Sequence, residues 1–531
     1  MNATAMIQSV WLWALGAFFV VSLVVTAFLT TPVCLMAGPG TAYPTLESAL
    51  RAAQPGCTVV LLSGEYRENV TVRKEVRILP RSEVTFVYFT QGNPGGPPFA
   101  VFAARARPVT LIAADPERPA LEIRAQGVEI RGLRVRGGSE GIRVYNTRDV
   151  RLVRNRITHA SRAGIALLGT QRIVVSYNEI AQSPVGLLVE NSRENALYKN
   201  RLRGNAQGIV LRGSRENRVA RNVVEASRED GILLESSDRN ELVQNAIERN
   251  ARGLSLLAST QNVLRENRWR NNPKPLRVWG SLPRHFVHAI ETSNSIDGRP
   301  VLYLMGQKGV KVTARHRPAY LALIRSEGVV VEGVVLPPGS QGILLVETQK
   351  STLRNVVLRR TEFGVYALNS RENTLEGVRI EQPETDGIVL EDSHANRLAR
   401  NSIVGAGRYG VLLARAEGNS LAENRIERSR EAGIYLKESR KARLEGNRLR
   451  GNWVGVYLER GGGHSLVRNW IRESQFGIFL QSSSGNAFQA NRLENNRHDA
   501  NVATLPEPGA PPPAPPPSQT TDPSSSSKGG S

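Results

Sequence analysis

Residues 208–224 read GIVLRGSRENRVARNVV; residues 231–247 follow as GILLESSDRNELVQNAI, and residues 186–202 precede as GLLVENSRENALYKNRL. Aligned on their first glycine, the three share an aliphatic run, a Ser-x-x-Asn segment and a second asparagine five residues further on. Working outward, the same glycine recurs at Gly141, Gly164, Gly186, Gly208, Gly231 and Gly253, and again at Gly342, Gly364, Gly387, Gly410, Gly433, Gly455 and Gly477, in steps of 22 or 23 residues. The 89 residues from Gly253 to Gly342 are close to four more steps, so the phase survives where the motif fades. Self-similarity at such a period marks a solenoid. Each repeat holds two or three short strands whose alternation sends one side chain in and the next out. A unit this short closes no core alone; stacked copies bury a continuous aliphatic column and pair each strand with its copy above and below. The expected fold is all-β: a single-stranded right-handed parallel β-helix of about fifteen coils of 22–23 residues.

The asparagines keep the same period. One row runs Asn155, Asn178, Asn200, Asn222, Asn245, Asn267 and resumes at Asn401, Asn424, Asn447, Asn469, Asn491; a second runs Asn195, Asn217, Asn240, Asn262. Asparagine tolerates left-handed backbone at tight turns, and stacked amides bond along the column, so a structural turn ladder is expected rather than a polar binding stripe. Charges four residues after each glycine, such as Glu190, Arg212 and Glu235, suit cross-strand pairing between coils.

The flanks divide the chain. Residues 1–37 contain an uncharged stretch, Val10 to Leu29, long enough to cross a membrane as a helix; they form a signal peptide or a transmembrane anchor, and either places the rest outside the cytoplasm, in the periplasm or at the cell surface. Residues 38–120 are a cap and first coils. Pro44-Thr45 opens a short helix with Leu46, Ala49, Leu50 and Ala53 on one face, fit to cover the first coil's open edge. Residues 121–271 are the first repeat array, 272–340 degenerate coils, 341–500 the second array, and 501–531 a Pro/Ser-rich disordered tail. Cys34 and Cys57 fit no zinc or redox spacing, and whether they pair is left open.

Lys and Arg number 69 against 48 Asp and Glu, a formal charge of +21, carried mostly by arginine. Such a surplus favours anionic partners. No aromatic-plus-basic stacking motif or helix-turn-helix is found, so nucleic acid is excluded as the expected partner. Catalysis on a glycan needs converging carboxylates. The densest group is Glu384, Asp386, Glu391, Asp392 and His394, with Asp386 and Glu391 flanking the strand that starts at Gly387. Asp230 and Glu235 repeat that geometry in the first array, which makes paired charges on a solvated coil the preferred account. Copper would want clustered His, Met or Cys; His285 and His288, beside Arg284, are the candidate metal pair, and no cofactor is assigned.

Two segments carry a resemblance. YPTLESALRAAQPGCTVVLLSGEYRENV (43–70) is similar to the opening of pectin-lyase-like β-helix proteins, where a capping helix precedes a strand and a Gly-x-Tyr turn. HAIETSNSIDGRPVLY (288–303) resembles the segment found in NosD-like proteins, also called the carbohydrate-binding and sugar-hydrolase β-helix family. The resemblance implies an extracytoplasmic β-helix, and through NosD itself a link to copper-enzyme maturation beside a membrane transporter. The expectation is a non-catalytic repeat protein that binds an anionic polysaccharide or a cell-envelope protein, with membrane contact through the N-terminal helix if it is uncleaved. The alternatives are a polysaccharide lyase, hydrolase or epimerase using Asp386 and Glu391, and a NosD-like accessory protein.

Overall fold

A computed structural model describes residues 33–83 and 108–503. The hydrophobic stretch Val10–Leu29 and the tail from 504 onward lie outside the described residues, and Asn501–Ala503 complete the last strand, His498–Ala503. No helix among the described residues is long and apolar enough to cross a membrane.

Each regular coil has a six-residue long strand followed by two three-residue strands, as in Gln207–Arg212, Arg218–Ala220 and Val223–Glu225. We call the three resulting surfaces the long, second and third faces. Strands stack in register: Leu187 over Ile209, Ile232 and Leu254, all fully buried. The recurring glycine opens the long strand for a packing reason. A Cβ on Gly208 would sit 2.3 Å from both the Gly231 carbonyl oxygen and Val224 Cγ1.

The asparagine ladder runs through the buried interior. Asn178 donates its amide to Asn200 at 3.0 Å, Asn200 to Asn222 at 3.0 Å, Asn222 to Asn245 at 3.1 Å and Asn245 to Asn267 at 2.9 Å. In the second array Asn401, Asn424, Asn447, Asn469 and Asn491 are linked at 2.9 Å throughout. The left-handed backbone expected of these asparagines falls instead on the residue before each: Arg154, Tyr177, Lys199, Arg221, Gln244 and Glu266 have φ of 54° to 56°. Asparagine is therefore placed for its amide, which satisfies turn groups cut off from water, and the strained position accepts any long polar side chain.

The N-terminal helix forms, but it follows a first rung rather than opening the stack. Helix α1 (Leu46–Ala52) starts at Thr45, whose hydroxyl accepts from Ser48 N in a capping box, and buries Leu46, Ala49 and Leu50. The Glu68 carboxylate accepts from the Leu46 and Glu47 amides at 2.9 Å. Val33–Ala37 is already a rung, paired with Cys57–Leu61 and tied by a Cys34–Cys57 disulfide with Cα atoms 5.6 Å apart.

Two expectations change. The stack has twenty rungs rather than about fifteen, eleven in the first second-face sheet and nine in its continuation; coils before Gly141 and after Gly477 lack the glycine that marked the phase. Nor is the stack continuous through 272–340. The first array's third face extends to Ser295–Ile296, which pairs with Arg299–Met305 antiparallel, Ser295 opposite Pro300 and Ile296 opposite Arg299. It is the one antiparallel pair among the described strands. The turn is Asp297-Gly298, with φ of 47° and 77°, the dipeptide that a two-residue hairpin of this hand requires. From there the ribbon continues parallel as Tyr320–Ile324, Ile343–Val346 and onward, and becomes the second array's long face.

Reversing the strands while the coils still climb has a geometric consequence. Crossovers between parallel strands keep a right hand, so the coil must close on the ribbon's opposite side. The burial shows it. Ile296, Val301, Tyr303, Tyr320, Ala322, Leu344 and Tyr366 belong to the first core; their strand neighbours Leu302, Leu321, Leu323, Ile343 and Val365 belong to a second, separate core. The molecule is thus two solenoids built on opposite faces of one ribbon. The first solenoid's open end is closed by the ribbon: Gln341 uses its side-chain amide like a missing strand, donating to Val278 O at 2.9 Å and accepting from Val278 N at 3.0 Å, while Tyr320 Oη donates to the same Gln341 oxygen at 2.7 Å.

Candidate functional site on the outer long face of the second solenoid

Beyond the rungs that close the first solenoid, the ribbon's outer face turns to solvent and is aromatic. One column runs Tyr366, Val389, Leu412, Tyr435, Tyr457, Phe479, and the next Tyr409, Ala432, Val454, Phe476, His498. Ring centroids are 4.9 Å apart for Tyr409–Tyr435, 4.6 Å and nearly parallel, stacked, for Tyr435–Tyr457, and 5.2 Å edge-on for Tyr457–Phe479. Phe476 adds to Phe479 at 5.6 Å and to the exposed Trp453 at 6.1 Å. The rings form one strip because parallel in-register stacking puts the same repeat position on the same column.

A third column supplies acceptors. Tyr366 Oη donates to Glu391 Oε2 at 2.6 Å, Tyr435 Oη donates to Glu459, and Tyr457 Oη donates to Gln481. Burial first, then the carboxylate partner, pushes the Tyr366 and Tyr435 hydroxyls far above their ordinary range; burial beside Glu459 moves Tyr457 to about 12. These phenols stay protonated and act as donors. The strip begins where the two solenoids meet. There Lys274 reaches Glu384 at 2.5 Å, Arg277 reaches Glu362 at 2.9 Å and Trp279 lies 5.0 Å from Tyr366. Burial raises the Glu362 carboxyl despite Arg277 and Lys274 beside it.

The candidate acids fall on this surface in part. Asp386, buried, accepts from Arg408 Nη2 at 2.6 Å and from Tyr409 N at 3.2 Å. Glu391 and Asp392 share Arg415, at 2.6 and 2.8 Å. His394 lies away from them, on the turn between the long and second faces, accepting from Glu417 N at 3.1 Å beside Arg371. Asp386 and Glu391 therefore share a face, each held by an arginine, and His394 does not join them. The equivalent Asp230 in the first solenoid is held the same way, by Arg252 at 2.8 Å and Ser255 at 2.6 Å. The aromatic strip escaped the sequence reading. Its signal was present: Tyr366, Tyr435, Tyr457 and Phe479 each stand two residues after a phase-marking glycine.

His288 replaces asparagine at the top of the second amide row. Its Nδ1 accepts from Asn262 N at 3.3 Å, and its Nε2 lies 3.1 Å from the His285 carbonyl. Both ring nitrogens are committed inside the core, and burial lowers the ring to about 4. His285 and His288 are a structural pair, and no three His, Cys, Asp or Glu gather to hold a metal among the described residues.

Comparison with known proteins follows the same division. A family model described as NosD, periplasmic copper-binding protein, matches residues 118–298, ending at the Asp297-Gly298 reversal; a model of the right-handed β-helix region matches 308–424 and 363–504. The copper of that description finds no matching donor set among the described residues, since His288 is closed off and no three His, Cys, Asp or Glu gather around His285. The periplasmic description agrees with an extracytoplasmic location. No curated protein matches. Among solved structures, XylC with xylose superposes at a TM-score of 0.39 with 9% identity, covering 64% of this chain and 85% of that one. A pectate lyase gives 0.31 with 9% identity, covering 68% and 79%, and a periplasmic alginate epimerase 0.26 with 10%, covering 72% and 77%. The superpositions are all below 0.5, and the two family models carry the assignment: the chain is NosD-like over residues 118–298 and a right-handed β-helix protein over residues 308–504.

Proposed function

We propose that the chain is a non-catalytic, extracytoplasmic polysaccharide-binding β-helix that lays a glycan along the outer long face of its second solenoid. The observation that carries this is the ring strip from Tyr409 through Tyr435 and Tyr457 to Phe479, one rung apart, in which Tyr409, Tyr457 and Phe479 are partly exposed and Tyr435 is buried between them. Aromatic side chains offer large apolar area with a polar tip, which matches a pyranose with one C–H face and hydroxyls at its rim. The hydroxyl–carboxylate pairs beside the rings supply those hydroxyls with partners. Binding is favoured over turnover because Asp386, Glu391 and Asp392 are each saturated by an arginine, and a general acid or base must reach the proton it moves.

The test is affinity electrophoresis of the full chain against a panel of neutral and acidic polysaccharides, with mass spectrometry of every retained polymer. Retention without chain shortening, weakened about tenfold by Tyr457→Ala, supports the reading. Shortened chains or new unsaturated ends would overturn the non-catalytic part. Retention by no polysaccharide would sink it and transfer the role to a cell-envelope protein partner.

A further inference from the structure

The second solenoid's third face carries a different chemistry from its aromatic neighbour. Down one column of that face run Arg379, Ser402, Arg425, Arg448, Trp470 and Arg492; down the next run Glu381, Val404, Glu427, Arg450, Arg472 and Glu494. Arg425 lies directly under Arg448, and Arg450 directly under Arg472. Neighbouring strands are only about 4.8 Å apart, and like charges set opposite one another destabilise a sheet. Acidic side chains relieve part of this: Glu427 takes Arg425 at 2.8 Å and Glu473 takes Arg450 at 2.7 Å. Arg448 has no carboxylate in ion-pair reach among the described residues, although it sits at the centre of the group and is exposed.

Trp470 is the one aromatic in the column. The Arg472 guanidinium lies 4.3 Å from its ring and that of Arg492 5.5 Å, while its indole N–H donates to Glu494 at 2.9 Å. The ring is thus fixed in orientation and flanked by cations. The matching face of the first solenoid also sets Arg156 over Arg134, yet its column of Arg134, Arg156, Glu179, Arg201, Val223, Ala246 and Arg268 holds no ring.

We infer that this face is a second binding surface, and that it takes a carboxylate-bearing polysaccharide, a uronic acid chain, laid across the rungs. Arg448, Arg450 and Arg472 receive successive carboxylates and Trp470 receives a sugar face. The guanidinium fork matches a carboxylate bidentately, and a polyanion offsets the Arg–Arg stacking that Glu427 and Glu473, the latter shared by Arg450 and by Arg472 at 3.8 Å, relieve only in part. The inference deepens the polysaccharide-binding reading by naming a chemical class, but it rests on a separate face, so the two can fail separately.

The experiment compares the full chain with R448Q/R450Q/R472Q and with Y435A/Y457A, using polygalacturonate, a neutral β-glucan and single-stranded DNA as probes over a range of salt. The expected result is that wild-type retention by polygalacturonate falls steeply with salt, that the arginine variant loses about tenfold and most of the salt dependence, and that its retention by neutral glucan is unchanged. Replacement of the same arginines by lysine keeps the charge but not the fork and should restore only part of the loss. Unchanged polygalacturonate retention in the arginine variant overturns the inference, as does DNA retained as tightly as polygalacturonate, which would mark a generic polyanion surface. If the tyrosine variant alone loses both glycans, the aromatic face stands and this one falls. If the arginine variant alone loses polygalacturonate and the tyrosine variant still retains the neutral glucan, this face stands and the aromatic one falls.

Discussion

The two solenoids obey one grammar and differ at one position of it. Both open the long strand on glycine, bury the same aliphatic positions and carry the same amide ladder. Two residues after the glycine, however, the first solenoid has Arg143, Ala166, Leu188, Val210, Leu233 and Ser255, whereas the second has Tyr366, Val389, Leu412, Tyr435, Tyr457 and Phe479. After Arg143 the first is a column of small and aliphatic residues; the second ends in three consecutive rings. The repeat therefore sets the scaffold, and a position that points away from its own solenoid's core is free to be spent on function. What the first solenoid does with its far end is structural: it is closed by the very ribbon whose continuation becomes the aromatic strip.

The comparison is broken most severely through the core. Trp269 is fully buried in the last rungs of the first solenoid, so Trp269→Ala should cost about 3–5 kcal/mol. Because each rung contacts mainly its neighbours, urea unfolding followed by hydrogen exchange should show protection lost in residues 150–300 and retained beyond Gly387. Equal loss in both halves would show that the two solenoids unfold as one unit. A smaller effect is expected at the shared ladder. Asn222→Ala and Asn424→Ala each leave backbone and amide groups unpaired in a dry interior, and each should cost about 1–3 kcal/mol; a large inequality between them would show that the ladder supports one solenoid more than the other.

The seam sharpens the contrast. Gln341→Ala removes both bonds to Val278 and the acceptor of Tyr320, and should cost about 1–3 kcal/mol while exposing the first solenoid's end, read as faster amide exchange at 274–279 and none at 454–462.

Acid provides the mildest test. His288 in the first solenoid and His464 in the second both stand in amide rows, accept a backbone N–H through Nδ1, and are lowered by burial to about 4. An ordinary imidazole protonates near 6.5. Between these values the unfolded chain binds protons that the folded chain refuses, so stability is fully present above about 6.5, falls as pH drops towards 4, and loses nothing more from these groups below that. H288N and H464N restore asparagine to the rows and should flatten the profile of the solenoid each belongs to. A pH profile unchanged by H288N would show that the first solenoid's acid response comes from elsewhere.

Much of the scaffold was legible because it is local and repeated. The glycine phase, the asparagine rows and the amphipathic α1 each follow from spacing alone. The asparagines' stacked amides were legible but the site of the left-handed turn was not: it is the residue before, such as Arg221 before Asn222, and no spacing places a backbone preference one position away. Asp386 and Glu391 flank one strand in the sequence, but their partners Arg408 and Arg415 come from the next coil, so their neutralisation is visible only once the rungs are stacked.

The sequence by itself determined the period, the all-β solenoid, the amide ladder and the N-terminal cap, because each depends on residues within one repeat or on identical residues one repeat away. Only the tertiary structure decided which side of the ribbon is core. In Tyr320-Leu-Ala-Leu-Ile324 both faces are apolar and fully buried, so alternation cannot say which points inward. The Asp297-Gly298 turn reverses the strand, the right-handed crossover moves the core to the other face, and the same outward column that closes the first solenoid emerges beyond it as an aromatic surface.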